Sequence, residues 1–208
     1  MKLWYSTTSP FVRKVRAVAH YHQLQDEIEL LLVTRAFSAD APHNKDNPLG
    51  RVPALQLDNG EWLYDSRLIA EYLDEIGQQP TLFPKNEKRW QILKLYALAE
   101  GVLENLVGLV LPERMFRPES EWWVSRHQQI EERNERSLRL IAQEIQQFGT
   151  ELNIGTLYCV CLIDFLLFRA NVTSAEKYSC MSELQQWADK MNSLYPCLFD
   201  TKPAMPPQ

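Results

Sequence analysis

Apolar positions along the chain change their period once, near residue 80. Before that point short apolar runs alternate with one-sided helical patterns. Lys2 to Ser6 reads as a strand ending in small hydroxyl residues. Pro10 stands where a helix's first turn begins, because proline lacks the N–H that this position leaves unused. Val12, Val15 and Ala19 follow at helical spacing, which predicts Arg13, Lys14 and Arg16 outward or sideways. Glu27 to Val33 (EIELLLV) reads as a second strand, and its apolar run predicts a buried place in a parallel pair. Thr34 to Pro48 is polar and rich in Pro, Asn and Asp, a connection with room for one helical turn. Val52-Pro53 opens a third strand, where proline is tolerated at the first residue. Asp58-Asn59-Gly60 is a hairpin turn joining Ala54–Leu57 to Glu61–Tyr64 as an antiparallel pair. Asp65-Ser66 then starts a helix to Ile76, with Leu68, Ile69, Tyr72 and Leu73 as its apolar face. The predicted order is β-α-β-α-β-β-α, its second α being that one turn.

Past residue 80 no strand pattern returns. Gly77 to Lys88 (GQQPTLFPKNEK) is polar, with two prolines and no periodicity. Helical patterns follow over Arg89–Leu111, Glu119–Phe148, Asn153 to about Arg169, and Met181–Leu194, with Pro112 and Pro118 interrupting between the first two. Gly149 is a C-terminal stop for the second. The closing residues, Pro203 to Gln208, read as a loose tail. The expected organisation is a small α/β domain over 1–78, a linker over 79–88, and an all-α domain over 89–208.

Composition narrows the classes. At 45% hydrophobic and 24% charged, the 208 residues are ordinary for a soluble globular protein. A net charge of −5, with no basic block beyond Arg13–Arg16, argues against a nucleic-acid partner. The start, MKLWYSTTSP, lacks the apolar core of a signal peptide, and the longest apolar run, Leu157–Phe168, is broken by Asp164. That run is shorter than the ~20 residues of a membrane span, so no membrane role is expected. Cys159, Cys161, Cys180 and Cys197 form no CxxC, and His20, His22, His43 and His127 show no metal spacing. They read as structural thiols in a reducing compartment and scattered histidines, with no metal site.

Chemistry concentrates at Ser9. It would lie at a helix N-terminus, where backbone N–H groups and the helix dipole favour an anion. Its hydroxyl can cap the helix or donate to an anionic ligand such as a thiolate. Spacing alone leaves both open.

Four stretches carry a resemblance. They are STTSPFVRKVR from Ser6, NPLGRVPAL from Asn47, LYDSRLIAEYL from Leu63, and PTLFP from Pro80. In this order and spacing the chain resembles the glutathione transferase family across essentially its whole length, with a thioredoxin-like first domain and an all-α helical-bundle second domain. The resemblance implies a residue-by-residue glutathione site. Ser9 matches the serine that holds the thiol in serine-type members, with Phe11 beside it. Val52 matches the residue whose backbone pairs with the cysteinyl part, and Pro53 the family's cis-proline, which would expose the Val52 N–H and C=O to a peptide. Asp65 and Ser66 match the pair that holds the γ-glutamyl end, and Arg51 lies in the loop along the glycyl part. Asp65 could instead simply cap its helix. Tyr5, near where tyrosine-type members keep a phenol, competes with Ser9 for the thiol or serves as core.

The implied activity is attack of an activated glutathione thiol on a small electrophile, with glutathione as co-substrate, no further cofactor, and a place in detoxification. A hydroxyl donor at a helix N-terminus lowers a thiol pKa from about 8.5, so the serine needs no histidine partner. Leu103, Val107, Met115 and Phe116 are the candidates to line the electrophile pocket, or are core. The alternatives on this fold are a glutathione-dependent thiol reductase or peroxidase, which usually has cysteine where Ser9 stands, and a non-catalytic protein-binding module. The family also implies a cytoplasmic homodimer, with Trp62 and Trp90 as contributors. One departure concerns stability. The family opens its buried helix with Ser/Thr-x-x-Asp, whereas this chain has Asn153-Ile154-Gly155-Thr156, so Thr156 replaces the reciprocal acid and a weaker cap is expected.

Overall fold

The computed structural model describes residues 1–35 and 37–205. In chain order the elements are β1 (Lys2–Tyr5), α1 (Pro10–Tyr21), β2 (Glu29–Leu32), β3 (Ala54–Gln56), β4 (Trp62–Leu63) and α2 (Ser66–Ile76). Then come α3 (Arg89–Asn105), α4 (Leu111–Phe116), α5 (Val124–Phe148), α6 (Ile154–Phe168), α7 (Ala170–Thr173), α8 (Met181–Leu194) and α9 (Pro196–Phe199). The architecture is the expected α/β sheet domain followed by helices. Between β2 and β3 stands one 3-10 turn, Pro42–Lys45, in place of the second helix of the predicted order.

The chain forms two compact units, Met1–Phe83 with Tyr195 onward, and Pro84–Leu194. The return of the last residues to the first unit differs from the expected all-α domain over 89–208. The expected linker over 79–88 is divided as well. Asp74 accepts from His22 Nε2 at 2.9 Å, Thr81 Oγ1 at 2.5 Å and the Leu82 N–H at 2.7 Å, and Leu82 and Phe83 are buried. The Gln79 N–H donates to His22 Nδ1 at 3.3 Å, so Nε2 carries the ring proton that Asp74 receives. Residues up to Phe83 thus belong to the first unit.

In that unit the sheet order is β2-β1-β3-β4, with β1 and β2 parallel and the other pairs antiparallel. Leu3, Leu55, Val12, Val15, Ile69 and Leu73 form its core. The buried place expected for β2 is corrected: β2 is an edge strand, and Leu30 is 42% exposed although its register partner Leu3 is buried. The outward setting expected for Arg13 and Lys14 is corrected too, since both are buried. For Arg13 the cause lies at the other end of the chain. α9 packs along α1, where Arg13 Nη2 donates to the Leu198 carbonyl at 3.1 Å and His20 Nε2 meets Asp200 Oδ2 at 3.1 Å. The Ala204 N–H then reaches the Thr7 carbonyl at 3.2 Å. The tail read as loose is therefore held up to Ala204, while residues 206–208 of that reading lie outside the described residues.

The helical unit is built on α6, buried along nearly its whole length and packed on α3. Gly155 permits the approach: a Cβ there would stand 2.7 Å from the Ile92 carbonyl oxygen. Helix α3 runs through a π-helical turn, Leu106–Val110, into α4. That turn moves the hydrogen-bond register so that Pro112 falls in the first turn of α4, which tolerates its missing N–H. Pro112 therefore does not break the segment as expected. The continuous stretch Arg89–Phe116 has the length and apolarity of a membrane span, at a mean hydropathy of 1.4 over its most apolar window. Its buried residues Ile92, Leu95, Tyr96 and Ala99 lie on the helix that packs against α6, as in a core helix.

Candidate active site

Sheet topology gathers the predicted residues. Trp4 pairs with Ala54 and Leu55 with Leu63, both antiparallel. The end of β1, the start of β3 and the end of β4 therefore share one edge of the sheet. From that edge leave the Ser6–Ser9 loop, the Arg51–Pro53 segment and Tyr64–Ser66. The helices that follow, α1 and α2, begin there too, so both positive dipole ends face that side.

Ser9 is the N-cap of α1, extended at φ −77° and ψ 125°, and its Oγ accepts from the Val12 N–H at 3.3 Å. The cap reading is thus observed, and it does not exhaust the group. A hydroxyl has one proton and two lone pairs. Capping uses a lone pair, and no bond among the described residues uses the proton. Phe11 stands half-buried in the first turn. Tyr5 closes β1 with the Arg16 guanidinium 5.6 Å from its ring centroid. Burial holds the pKa of Arg16 below its ordinary value, with the Tyr5 charge opposing.

The Val52–Pro53 peptide is cis. Pro53 is buried, Val52 half-buried and Arg51 exposed. Among the turns and loops of the described residues no backbone hydrogen bond uses the Val52 N–H or C=O. Asp65 is the N-cap of α2, exposed, with Oδ1 accepting from the Arg67 N–H at 2.9 Å. Ser66 is buried behind it. The Ile69 N–H finds the Asp65 carbonyl, while among the described residues the N–H groups of Ser66 and Leu68 in that first turn have no backbone partner, donors open to a carboxylate. Asp65 thus caps α2 through one carboxylate oxygen, Oδ1.

In the helical unit the four pocket candidates separate. Leu103 is fully buried, Val107 half-buried, Met115 exposed and Phe116 62% exposed. Their end of the unit is fixed by Arg114, whose guanidinium donates to the Val172 carbonyl at 2.5 Å and to Glu131 Oε1 at 2.7 Å, with Trp122 stacked 5.6 Å away. The cysteines are all free, and burial pushes the Cys159 thiol well up, away from reactivity. Among the described residues no group of three or more His, Cys, Asp and Glu is placed to hold a metal.

Sequence reasoning missed Asn47 and the His22–Asp74 pair. Asn47 stood inside a quoted motif with no role of its own. His22 and Asp74 are 52 residues apart, and nothing local signals that they meet.

Residues 8–76 match the glutathione S-transferase N-terminal domain. The chain is 32% identical over 183 residues to YibF, an uncharacterized GST-like protein of Escherichia coli K12, covering 81% of this chain and 83% of that one. It superposes with a TM-score of 0.88 on a glutathione transferase family member from Pseudomonas fluorescens Pf-5 with bound glutathione, at 31% identity over 98% of this chain and 99% of that one. A glutathione S-transferase from Methylobacillus flagellatus KT, also with glutathione bound, gives 0.83 at 29% identity, over 98% and 99%. The protein is a thioredoxin-like sheet domain joined to a helical one. It belongs to the glutathione S-transferase family.

Proposed function

We propose that this protein binds glutathione at the sheet edge of its first unit and activates the thiol for attack on a small electrophile. The observation that carries the reading is the Ser9 hydroxyl, which caps α1 through a lone pair and keeps its proton to donate. A thiolate set against that proton and the start of α1 is stabilised relative to the thiol, and its pKa falls. Val52 would pair with the cysteinyl part through its backbone and Arg51 would lie along the glycyl end. Asp65, the Ser66 hydroxyl and the first-turn N–H groups of α2 would hold the γ-glutamyl end.

Ser9 in place of cysteine disfavours disulfide exchange, since a serine cannot form the mixed disulfide that such a reductase needs. Calorimetric titration with glutathione, followed by thiolate absorbance of the complex across pH, tests the reading. The expected result is binding, with a thiolate already formed near neutral pH. Binding without a thiolate would favour the non-catalytic module.

The working form would be a cytoplasmic homodimer. Trp90 is 74% exposed, beyond what packing within its own unit requires. Further along α3 a groove of about 390 Å³ is lined by Ala97, Gly101, Glu104, Arg133 and Arg136, both signs of charge that a second copy could match. Light scattering at micromolar concentration should give twice the chain mass; a single species near 24.3 kDa would remove the dimer.

A further inference from the structure

One side chain holds the segment that leads into Val52. Asn47 is 1% exposed. Its Oδ1 accepts from the Leu49 N–H at 3.0 Å, and its Nδ2 donates to the Arg51 carbonyl at 2.8 Å. Its backbone is committed as well: its N–H donates to the His43 carbonyl at 2.9 Å, and its C=O accepts from the Gly50 N–H at 2.9 Å. Gly50 sits at φ +61°, where glycine carries no side-chain penalty, and there the chain doubles back to bring the Arg51 carbonyl to the Asn47 amide. One residue earlier, Asp46 Oδ2 accepts from Trp4 Nε1 at 2.7 Å, which ties the loop to β1.

The Arg51–Val52 peptide is not among the cis bonds. In a planar trans peptide the carbonyl of one residue and the N–H of the next point in opposite directions. A carbonyl aimed at the buried Asn47 amide therefore aims the Val52 N–H away from the loop interior. We propose that Asn47 is a positioning residue for glutathione: by holding the Arg51 carbonyl it fixes the direction of the Val52 N–H that receives the cysteinyl part of the peptide. This rests on the glutathione reading above. A donor aimed before binding need not be ordered during it, so the arrangement favours affinity.

Asn47→Asp isolates the point. It keeps the size and the acceptor for the Leu49 N–H, removes the Nδ2 donor, and sets a carboxylate oxygen against the Arg51 carbonyl. The expected result is a glutathione dissociation constant raised about tenfold, the order of one oriented hydrogen bond. Turnover of a halonitroarene at saturating glutathione stays near that of the unmodified protein, because Ser9 lies on another loop. The amide resonance of Val52 shifts in the ligand-free variant. A lowered melting temperature with an unchanged dissociation constant would overturn the proposal and make Asn47 a loop clamp only. If the variant does not fold, the unmodified protein decides: a Val52 amide in the rigid range of NMR order parameters is expected, and a mobile one overturns it. Absence of any binding heat in the unmodified protein overturns the glutathione reading instead, and an unshifted Val52 resonance in Asn47→Asp would then overturn the positioning role separately.

Discussion

Ser9 answers two demands with one hydroxyl, and a pair of substitutions separates them. Ser9→Asp keeps a good N-cap, because Asp and Ser rank together at that position, so the melting temperature should hold within about 2 °C. An ionised Asp has no proton to give and sets a negative charge beside the sulfur. The bound thiol's pKa should rise, and turnover near neutral pH should fall steeply. Ser9→Ala removes the cap and the donor together. It should cost about 1 kcal/mol of stability as well as raise the thiol pKa, a shift of one unit being ~1.4 kcal/mol. Thiolate absorbance and thermal unfolding on both variants give the check. An unmoved thiol pKa in both, with a raised one in Tyr5→Phe, would pass the role to Tyr5. At this scale the sequence carried the capping positions of Ser9 and Asp65, which act through local backbone geometry, whereas the cis Val52–Pro53 bond was expected only from the family resemblance. Spacing presented cap and donor as rivals for Ser9, and likewise cap and ligand for Asp65. The geometry shows they need not compete, since each cap takes a lone pair or one carboxylate oxygen and leaves the rest.

At the scale of elements the buried helix α6 is the informative case. Its cap was expected to be weak because threonine stands where the family has an acid. In the structure Thr156 takes the reciprocal role itself. Its Oγ1 accepts from the Asn153 N–H at 2.9 Å, while Asn153 Oδ1 accepts from the Thr156 N–H at 3.0 Å. The hydroxyl also donates to the Glu151 carbonyl at 2.8 Å, a bond a carboxylate could not make. Thr156→Val keeps the shape and deletes the hydroxyl's bonds to the Asn153 N–H and the Glu151 carbonyl. It leaves the buried Asn153 N–H without a partner, so the expected loss is about 1–3 kcal/mol, or roughly 2–12 °C of melting temperature. A thermal shift under a degree would return the cap to Asn153 alone. The helices themselves were legible, since their apolar periodicity is strong. Their joints were not. The π-turn at Leu106–Val110 has no marker of its own beyond the proline that follows it, and a period of 3.6 cannot register a local change of hydrogen-bond register.

For the whole molecule the two ends of the chain matter together. The first unit contains residues from both, and α9 is what a sequence reading had least chance of finding: four residues beginning at Pro196, too short for periodicity. Nothing local signalled it, because Arg13, the residue it covers, read as outward in the helical pattern of α1. Cys197 and Leu198 are buried, Thr201 is buried with its hydroxyl donating to the Cys197 carbonyl at 2.6 Å, and Leu198 gives Arg13 its acceptor. Ending the chain at Leu194 leaves the helical unit whole, because α8 closes there. The deletion strips the first unit of a buried Leu, worth roughly 1.5–3 kcal/mol, and of the Cys197 contacts beside it. It also removes the carbonyl that receives the Arg13 guanidinium and the Ala204 N–H that holds the Thr7 carbonyl, two residues before Ser9. The truncated protein should melt at least 5 °C lower, an estimate from about 2–4 °C per kcal/mol for a chain of this size. Limited proteolysis should cut it first between residues 1 and 83. An unchanged melt, or first cleavage within 84–194, would mean that the C-terminal segment only rests on the first unit and does not hold it.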